Sequence, residues 1–420
     1  MMRRLHECCP ALKALHICFP PNLGEALGYT EEATPDPRSL QEPAVYGKPN
    51  LTVFSGLEEL SLDELYEELP WWRAQIVQVL QNSPGLRRLQ LSLSTKTLGR
   101  YYHEEEQDKF ERFFDSLCDD YGETGAAPLR LRSLHLGTAV YTFDADSLAK
   151  LTDLAVLEEA HIENRGVWED GVIIDMYNDG DDEGSGIAFD AFGPSRCPRL
   201  RRLNFADYQR DAHAFLAGTA DEDPSYARRL AVSCQGTWAG YEPAALLRPD
   251  ENYPALPLHL RMLDVDLQRG QCRLKDEDGD DIDACEIPPA REVLASLVAG
   301  DEGALEGLAV HLEENPEAAE GAFEHLDLLV DAVAQLANLT QLAIEPNVHG
   351  ERLIQDEEVM RATAAVLAAA SRSLRYIKVY ALCWRVWRDG DKPVRLEKLD
   401  DGEIGQVELF RGFIWEPQAC

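Results

Sequence analysis

The chain has 420 residues, 45% of them apolar and 8% aromatic, enough to bury a sizeable core. Its 76 acidic residues against 40 basic give a formal net charge of −36, a field that repels polyanions and argues against a nucleic-acid or anionic-membrane partner. The longest small-apolar run, around Ala364–Ala370, falls far short of the roughly 20 residues a bilayer span requires. The ten cysteines are scattered without a C-x-x-C pair, as in reduced compartments, so a cytoplasmic or nuclear location is expected. Near the N-terminus Lys13 and His16 interrupt the one stretch that imitates a secretory signal.

One pattern, L-x-x-L-x-[LIV], recurs along the whole chain, with eight strict occurrences where chance gives roughly two. Including degenerate copies, strands are predicted from positions 12, 57, 86, 131, 157, 200, 227, 260, 305, 339 and 374, spaced 26 to 45 residues apart. Between them the apolar spacing predicts helices over 61–81, 104–118, 290–298, 323–337 and 356–371. Residues 166–193 read as an inserted β-hairpin, with arms at 172–177 and 187–192 around an acidic turn, and 268–287 as a second. The last forty or so residues alternate like strands around Asp389-Gly390 and Asp401-Gly402 and carry an aromatic set that includes Trp384, Trp387, Phe410 and Trp415.

Each unit is thus a short strand, a turn and a returning helix, and stacked units share one core. The expected fold is an α/β leucine-rich repeat solenoid, with parallel strands on a concave face, helices outside, inserted hairpins and a β cap. The repeat domain is assigned to 1–380, with about eleven irregular repeats, and the β-meander cap to 381–420.

Strand alternation sends Leu89, Leu91 and Leu134 into the core and leaves Arg88, Gln90 and Ser92 outside, so truncating Gln90 is expected to cost almost nothing. Applied to every strand, this register yields a grid of candidate partner-binding residues. They are His16, Glu59, Arg88, Gln90, Ser133, His135, Glu159, His161, Arg202, Asn204, Arg229, Asp264, Gln341, Tyr376 and Lys378. Among them Arg88, Arg202, Arg229 and Lys378 form basic spots suited to an acidic or phosphorylated segment.

Chemistry-bearing motifs were sought along the same chain. Asp179, Asp181, Glu183, Gly184 and Asp190 imitate a calcium loop, but Gly186 stands where a branched apolar residue belongs and the flanks read as strands. His6, Cys8, Cys9, His16 and Cys18 crowd together without zinc-knuckle spacing. No H-E-x-x-H, G-x-S-x-G or phosphate-binding glycine loop occurs. No catalytic residue, metal ligand or cofactor is assigned.

Two segments, Cys9-Pro-Ala-Leu-Lys-Ala-Leu-His-Ile17 and Cys197-Pro-Arg-Leu-Arg-Arg-Leu-Asn-Phe205, resemble the C-P-x-L-x-x-L strands of F-box-associated leucine-rich repeat proteins. With the long irregular repeats and the closing Trp384-Arg-Val-Trp387 segment, the chain is similar to the filamentous-fungal members of that family. The resemblance implies a non-catalytic scaffold that recruits a protein, as the substrate arm of a ubiquitin ligase. No F-box is visible ahead of the first repeat, so the Skp adaptor is expected as a partner only where an F-box lies upstream. The alternative is a free-standing leucine-rich repeat interaction protein, with a metal-dependent protein or enzyme a distant third.

Overall fold

A computed structural model describes residues 8–9, 11–18, 50–65, 69–93, 112–137, 145–163, 167–169, 172–174, 189–206, 215, 218–219, 222–227, 230–233, 260–266, 271–272, 285–286, 290–300, 303–312, 323, 325–346, 356–389 and 394–411. The chain divides into two compact units, Met1–Phe192 and Gly193–Cys420.

The first unit contains β1 (Ala14–Cys18), β2 (Glu59–Leu65), α1 (Leu69–Asn82), β3 (Arg88–Leu93), α2 (Phe113–Glu123), β4 (Ser133–Gly137), α3 (Ala145–Leu151), β5 (Glu159–Glu163), β6 (Val167–Glu169) and β7 (Val172–Ile174). Strands β1 to β5 pair in sequence order, every pair parallel. Successive parallel strands need a crossover, and from β2 to β5 the helices α1, α2 and α3 lie in those connections. Helix α1 buries Leu69, Trp72, Ile76, Val79 and Leu80, one stripe at helical spacing. Residues 61–65, which the spacing placed in this helix, belong to β2 instead. Pro70 sits in the first turn of α1, where its missing N–H costs nothing.

The second unit contains β8 (Arg202–Ala206), α4 (Pro224–Ala227), β9 (Ala231–Ser233), β10 (Met262–Asp266), β11 (Gln271–Cys272), β12 (Cys285–Glu286), α5 (Ala290–Gly300), β13 (Gly307–Leu312), α6 (Leu326–Gln335), β14 (Gln341–Pro346), α7 (Glu357–Ala370), β15 (Tyr376–Val379), β16 (Leu382–Trp387), β17 (Arg395–Lys398) and α8 (Asp401–Ile404). Its sheet runs β8-β9-β10-β13-β14-β15, all parallel, and then adds β16 and β17 antiparallel.

Both sheets are built on the same local pattern. The leucine three residues before each strand's central pair is buried at Leu57, Leu86, Leu131, Leu157, Leu200, Leu260, Leu305, Leu339 and Leu374. The residue before each strand donates its N–H to the equivalent carbonyl of the strand before it. Examples are Glu58 to Lys13 at 2.7 Å, Arg87 to Glu58 at 2.8 Å, Glu306 to Arg261 at 2.8 Å and Arg375 to Thr340 at 2.8 Å. Leu60 and Leu62, Leu89 and Leu91, Leu134 and Leu136, and Ala160 and Ile162 then fill the core of the first unit.

Two short antiparallel pairs lie within the segments read as hairpins. Strand β6 pairs antiparallel with β7, so the described pair lies at 167–174, and Phe189–Phe192 is a 3₁₀ turn rather than a returning arm. Strands β11 and β12 pair antiparallel, Cys272 opposite Cys285. The acidic loop that imitates a calcium site, 179–190, lies outside the described residues except at its end. At the C-terminus the strand alternation stops at Lys398. Residues 401–404 and 409–411 are helical turns, not the further strands the pattern predicted.

Candidate recognition face

Parallel pairing in register carries each grid residue next to its counterpart on the neighbouring strand. In the first unit Ala14, Glu59, Arg88, Ser133 and Glu159 form one row across the sheet, and His16, Ser61, Gln90, His135 and His161 form the next. All eight predicted residues of this unit therefore share one sheet face. The first row is open: Arg88 leaves 49% of its side chain exposed, and Glu59 35%. Glu59 stands between His16 Nε2 and Arg88 NH1, each at 3.6 Å. Such exposed pairs contribute little to stability.

The second row is more enclosed than strand alternation alone predicts. Gln90, His135 and His161 are buried, and the two imidazole rings lie 4.0 Å apart, centroid to centroid. Gln90 is held by Asp63, two residues beyond Ser61 on β2. Its carboxylate accepts hydrogen bonds from Ser61 Oγ (3.0 Å), Gln90 Nε2 (2.8 Å) and Ser92 Oγ (3.3 Å). Gln90 is thus a structural donor, and the expectation that its truncation is nearly free is corrected. Gln90→Ala strips one donor from a buried carboxylate and is expected to cost about 1–2 kcal/mol in chemical denaturation. Gln90 Oε1 is also buried, with no hydrogen-bond partner among the described residues.

In the second unit the same construction yields a different surface. Arg202, Ala231, Met262, Gly307, Gln341 and Tyr376 form one row; Asn204, Ser233, Asp264, Ala309, Ala343 and Lys378 form the next. Arg229 lies outside the described residues. Here the face is covered by the chain itself. Ala231, Met262, Ala309, Ala343 and Cys383 form one buried cluster with Val407, Leu409 and Phe410, flanked by Tyr376 and Ile404. Strand β13 is accordingly buried along its whole length, on both faces.

Three predicted residues serve this internal contact. Arg202 NH2 donates to the Glu408 carbonyl at 2.6 Å, Gln341 Oε1 accepts the Leu409 N–H at 2.9 Å, and Tyr376 packs on the cluster. Arg261, which the sequence did not single out, grips the Glu408 carboxylate with two hydrogen bonds of 2.7 and 2.6 Å. Lys378 is paired with Glu345 at 2.6 Å. With Arg88 beside Glu59, all three of the anticipated basic spots that lie among the described residues have partners within the chain. The missed signal was in the grid itself: Ala231, Met262, Gly307, Ala309 and Ala343 are small or apolar at positions a solvated face would fill with polar groups.

Hydrogen bonding from Arg261 holds the Glu408 carboxyl below the usual carboxylate range, and the same bond raises the Arg261 guanidinium. A depressed carboxyl stabilises the fold above its unfolded-state value and loses that contribution as pH falls through its folded-state value. The melting temperature of the native protein is expected to exceed that of Glu408→Gln at neutral pH, and the two are expected to converge only below about pH 4.

Cys118, Cys197 and Cys383 are buried, whereas Cys8, Cys9 and Cys18 are exposed. Burial pushes the Cys197 thiol up to about 12 and the Cys383 thiol to about 11, so these two act as small hydrophobes rather than nucleophiles. Among the described residues no group of three His, Cys, Asp or Glu side chains could hold a metal ion, and no helix is long and apolar enough to cross a membrane. No family model matches the chain, and no curated protein matches it closely enough to name a relative.

Proposed function

We propose that the protein is a non-catalytic recognition scaffold of the leucine-rich repeat solenoid type, and that it binds a protein partner on the open sheet face of its first unit. The observation that carries this reading is the row of Glu59, Arg88, Ser133 and Glu159 in register on four parallel strands, beside the His135–His161 pair. A rigid sheet presenting side chains of alternating charge selects a partner by complementarity, with little ordering cost on its own side. The partner chemistry this face fits is a polar surface of both signs. The resemblance to F-box-associated repeat proteins adds a ubiquitination substrate as the partner class to test first.

Photo-crosslinking tests the reading. A photoreactive residue at Ser133 or Arg88 is expected to yield the same discrete adducts in cells, and Gln78 on the exposed side of α1 is expected to yield none of them. Arg88→Glu is expected to reduce the Ser133 adduct by about tenfold, the effect of reversing one interface charge. Equal labelling from the sheet face and from α1 would sink the proposal.

A further inference from the structure

The second unit's sheet face is shaped around a peptide. Its strands are cut back to small residues where the closing segment lies, most sharply at Gly307. A Cβ there would stand 3.0 Å from Met262 Cγ and 3.5 Å from Leu409 Cδ1. Into this clearing go Leu409, 2% exposed, with Val407 and Phe410, both 6% exposed. Around it stand a two-point charge clamp from Arg261 to the Glu408 carboxylate, a hydrogen bond from Arg202 to the Glu408 carbonyl, and Gln341 reading the Leu409 N–H. One clamped carboxylate, two read backbone groups and three apolar anchors is how interfaces hold short linear peptides. The segment adds no strand to the sheet: it is attached through helical turns, so its departure breaks no sheet ladder.

We infer that this face is a binding site for a short peptide in which an acidic residue precedes two bulky apolar residues. Residues 404–410 are its built-in occupant, and a partner protein carrying such a motif displaces them. This site belongs to the second unit and does not depend on the reading of the first. Because the occupant is tethered, an incoming peptide competes against an effective concentration on the order of millimolar, so the closed state is the resting one.

The test uses the full chain and a fluorescent synthetic peptide covering residues 400–411. Glu408→Lys breaks the clamp in the chain while leaving Arg261 and the apolar patch in place. The peptide is expected to bind this variant saturably and at least about tenfold more tightly than the native chain, whose site is occupied. Adding Arg261→Glu to the opened chain is expected to abolish binding. A peptide carrying Lys at the Glu408 position is expected to bind that double variant only when its own segment is further loosened by Leu409→Asp. Hydrogen exchange is expected to show 401–411 released in Glu408→Lys while β10, β13 and β14 stay protected. Should the segment stay protected, Leu409→Asp replaces Glu408→Lys as the opened chain. A released segment with an intact sheet and no peptide binding overturns the inference. So does collapse of the sheet together with the segment in both variants, which would make 404–410 part of the core. Dimerisation of the opened chain by exchange of its segments, without peptide binding, would assign the site to a second copy and overturn it as well.

Discussion

Leu134→Ala is expected to lower the unfolding free energy of the first unit by about 2–5 kcal/mol, the range for deleting a fully enclosed leucine. Leu134 is 0% exposed, and in register it lies between Leu89 of β3 and Ala160 of β5. Truncation opens a cavity shared by three strands, and a sheet held in place by its backbone ladder has little freedom to collapse into it. Trp72 on α1 is buried in the same unit and reports unfolding by fluorescence. Arg87→Ala, an exposed change just before β3, is expected to stay within about 0.5 kcal/mol of the native protein. Similar denaturation midpoints for the two variants would place the strand register wrong.

Arg388→Ala is the second large expected effect, at about 2–4 kcal/mol. The guanidinium of Arg388 donates to the carbonyls of Ala368, Ser371 and Leu374, the Ala368 bond at 2.7 Å. The first two lie at the end of α7, where the last carbonyls have no helical partner and the helix dipole favours a cation. The other end of α7 is served by Asp356, which accepts the Glu358 N–H at 2.7 Å. One arginine thus ties the helix end to the turn before β15. Burial pushes its pKa down, yet guanidinium keeps its charge at any pH at which the protein is folded. Arg388→Lys is expected to recover less than half of the loss, because an ammonium cannot span three acceptors in one plane. Differential scanning calorimetry of the three proteins checks this. Full rescue by lysine would mean that the charge, not the fork of donors, is what matters.

Most of the strand positions were legible from the amino-acid order because two periodicities coincide there. Leu57, Leu60 and Leu62 satisfy both the spacing of the turn and the alternation of the strand, and nothing else in a soluble chain produces that triplet so often. Sheet order followed from the same repetition. Helix starts were less legible: residues 61–65 carry apolar positions that suit a strand and a helix alike, and the strand won through pairing with β1 and β3.

The candidate face was legible in direction but not in environment. Alternation placed Gln90 and His135 on the correct side of the sheet. Gln90 is held by Asp63 and His135 stacks near His161, contacts between strands that local sequence does not encode. The closing segment was hidden for a similar reason. Val407-Glu408-Leu409-Phe410 alternates well enough to pass for a strand, and only the small residues of β9, β10, β13 and β14 decide that it lies across the sheet instead of extending it. The partner of Glu408, Arg261, sits 147 positions away in sequence, beyond the reach of any local pattern.

Single introduced cysteines compare the two faces directly. Arg88→Cys and Ala343→Cys, each made in the full chain, are treated with a maleimide and the labelling rate at each site is read by peptide mass spectrometry. Both positions lie on the same face of parallel strands, Arg88 in the first row of its sheet and Ala343 in the second row of its own, but Arg88 is exposed and Ala343 is 0% exposed beneath the closing segment. With the first face open to a partner and the second filled by the chain itself, position 88 reacts at least about tenfold faster than position 343, since thiol reactivity follows access. Comparable rates at the two positions would contradict that division.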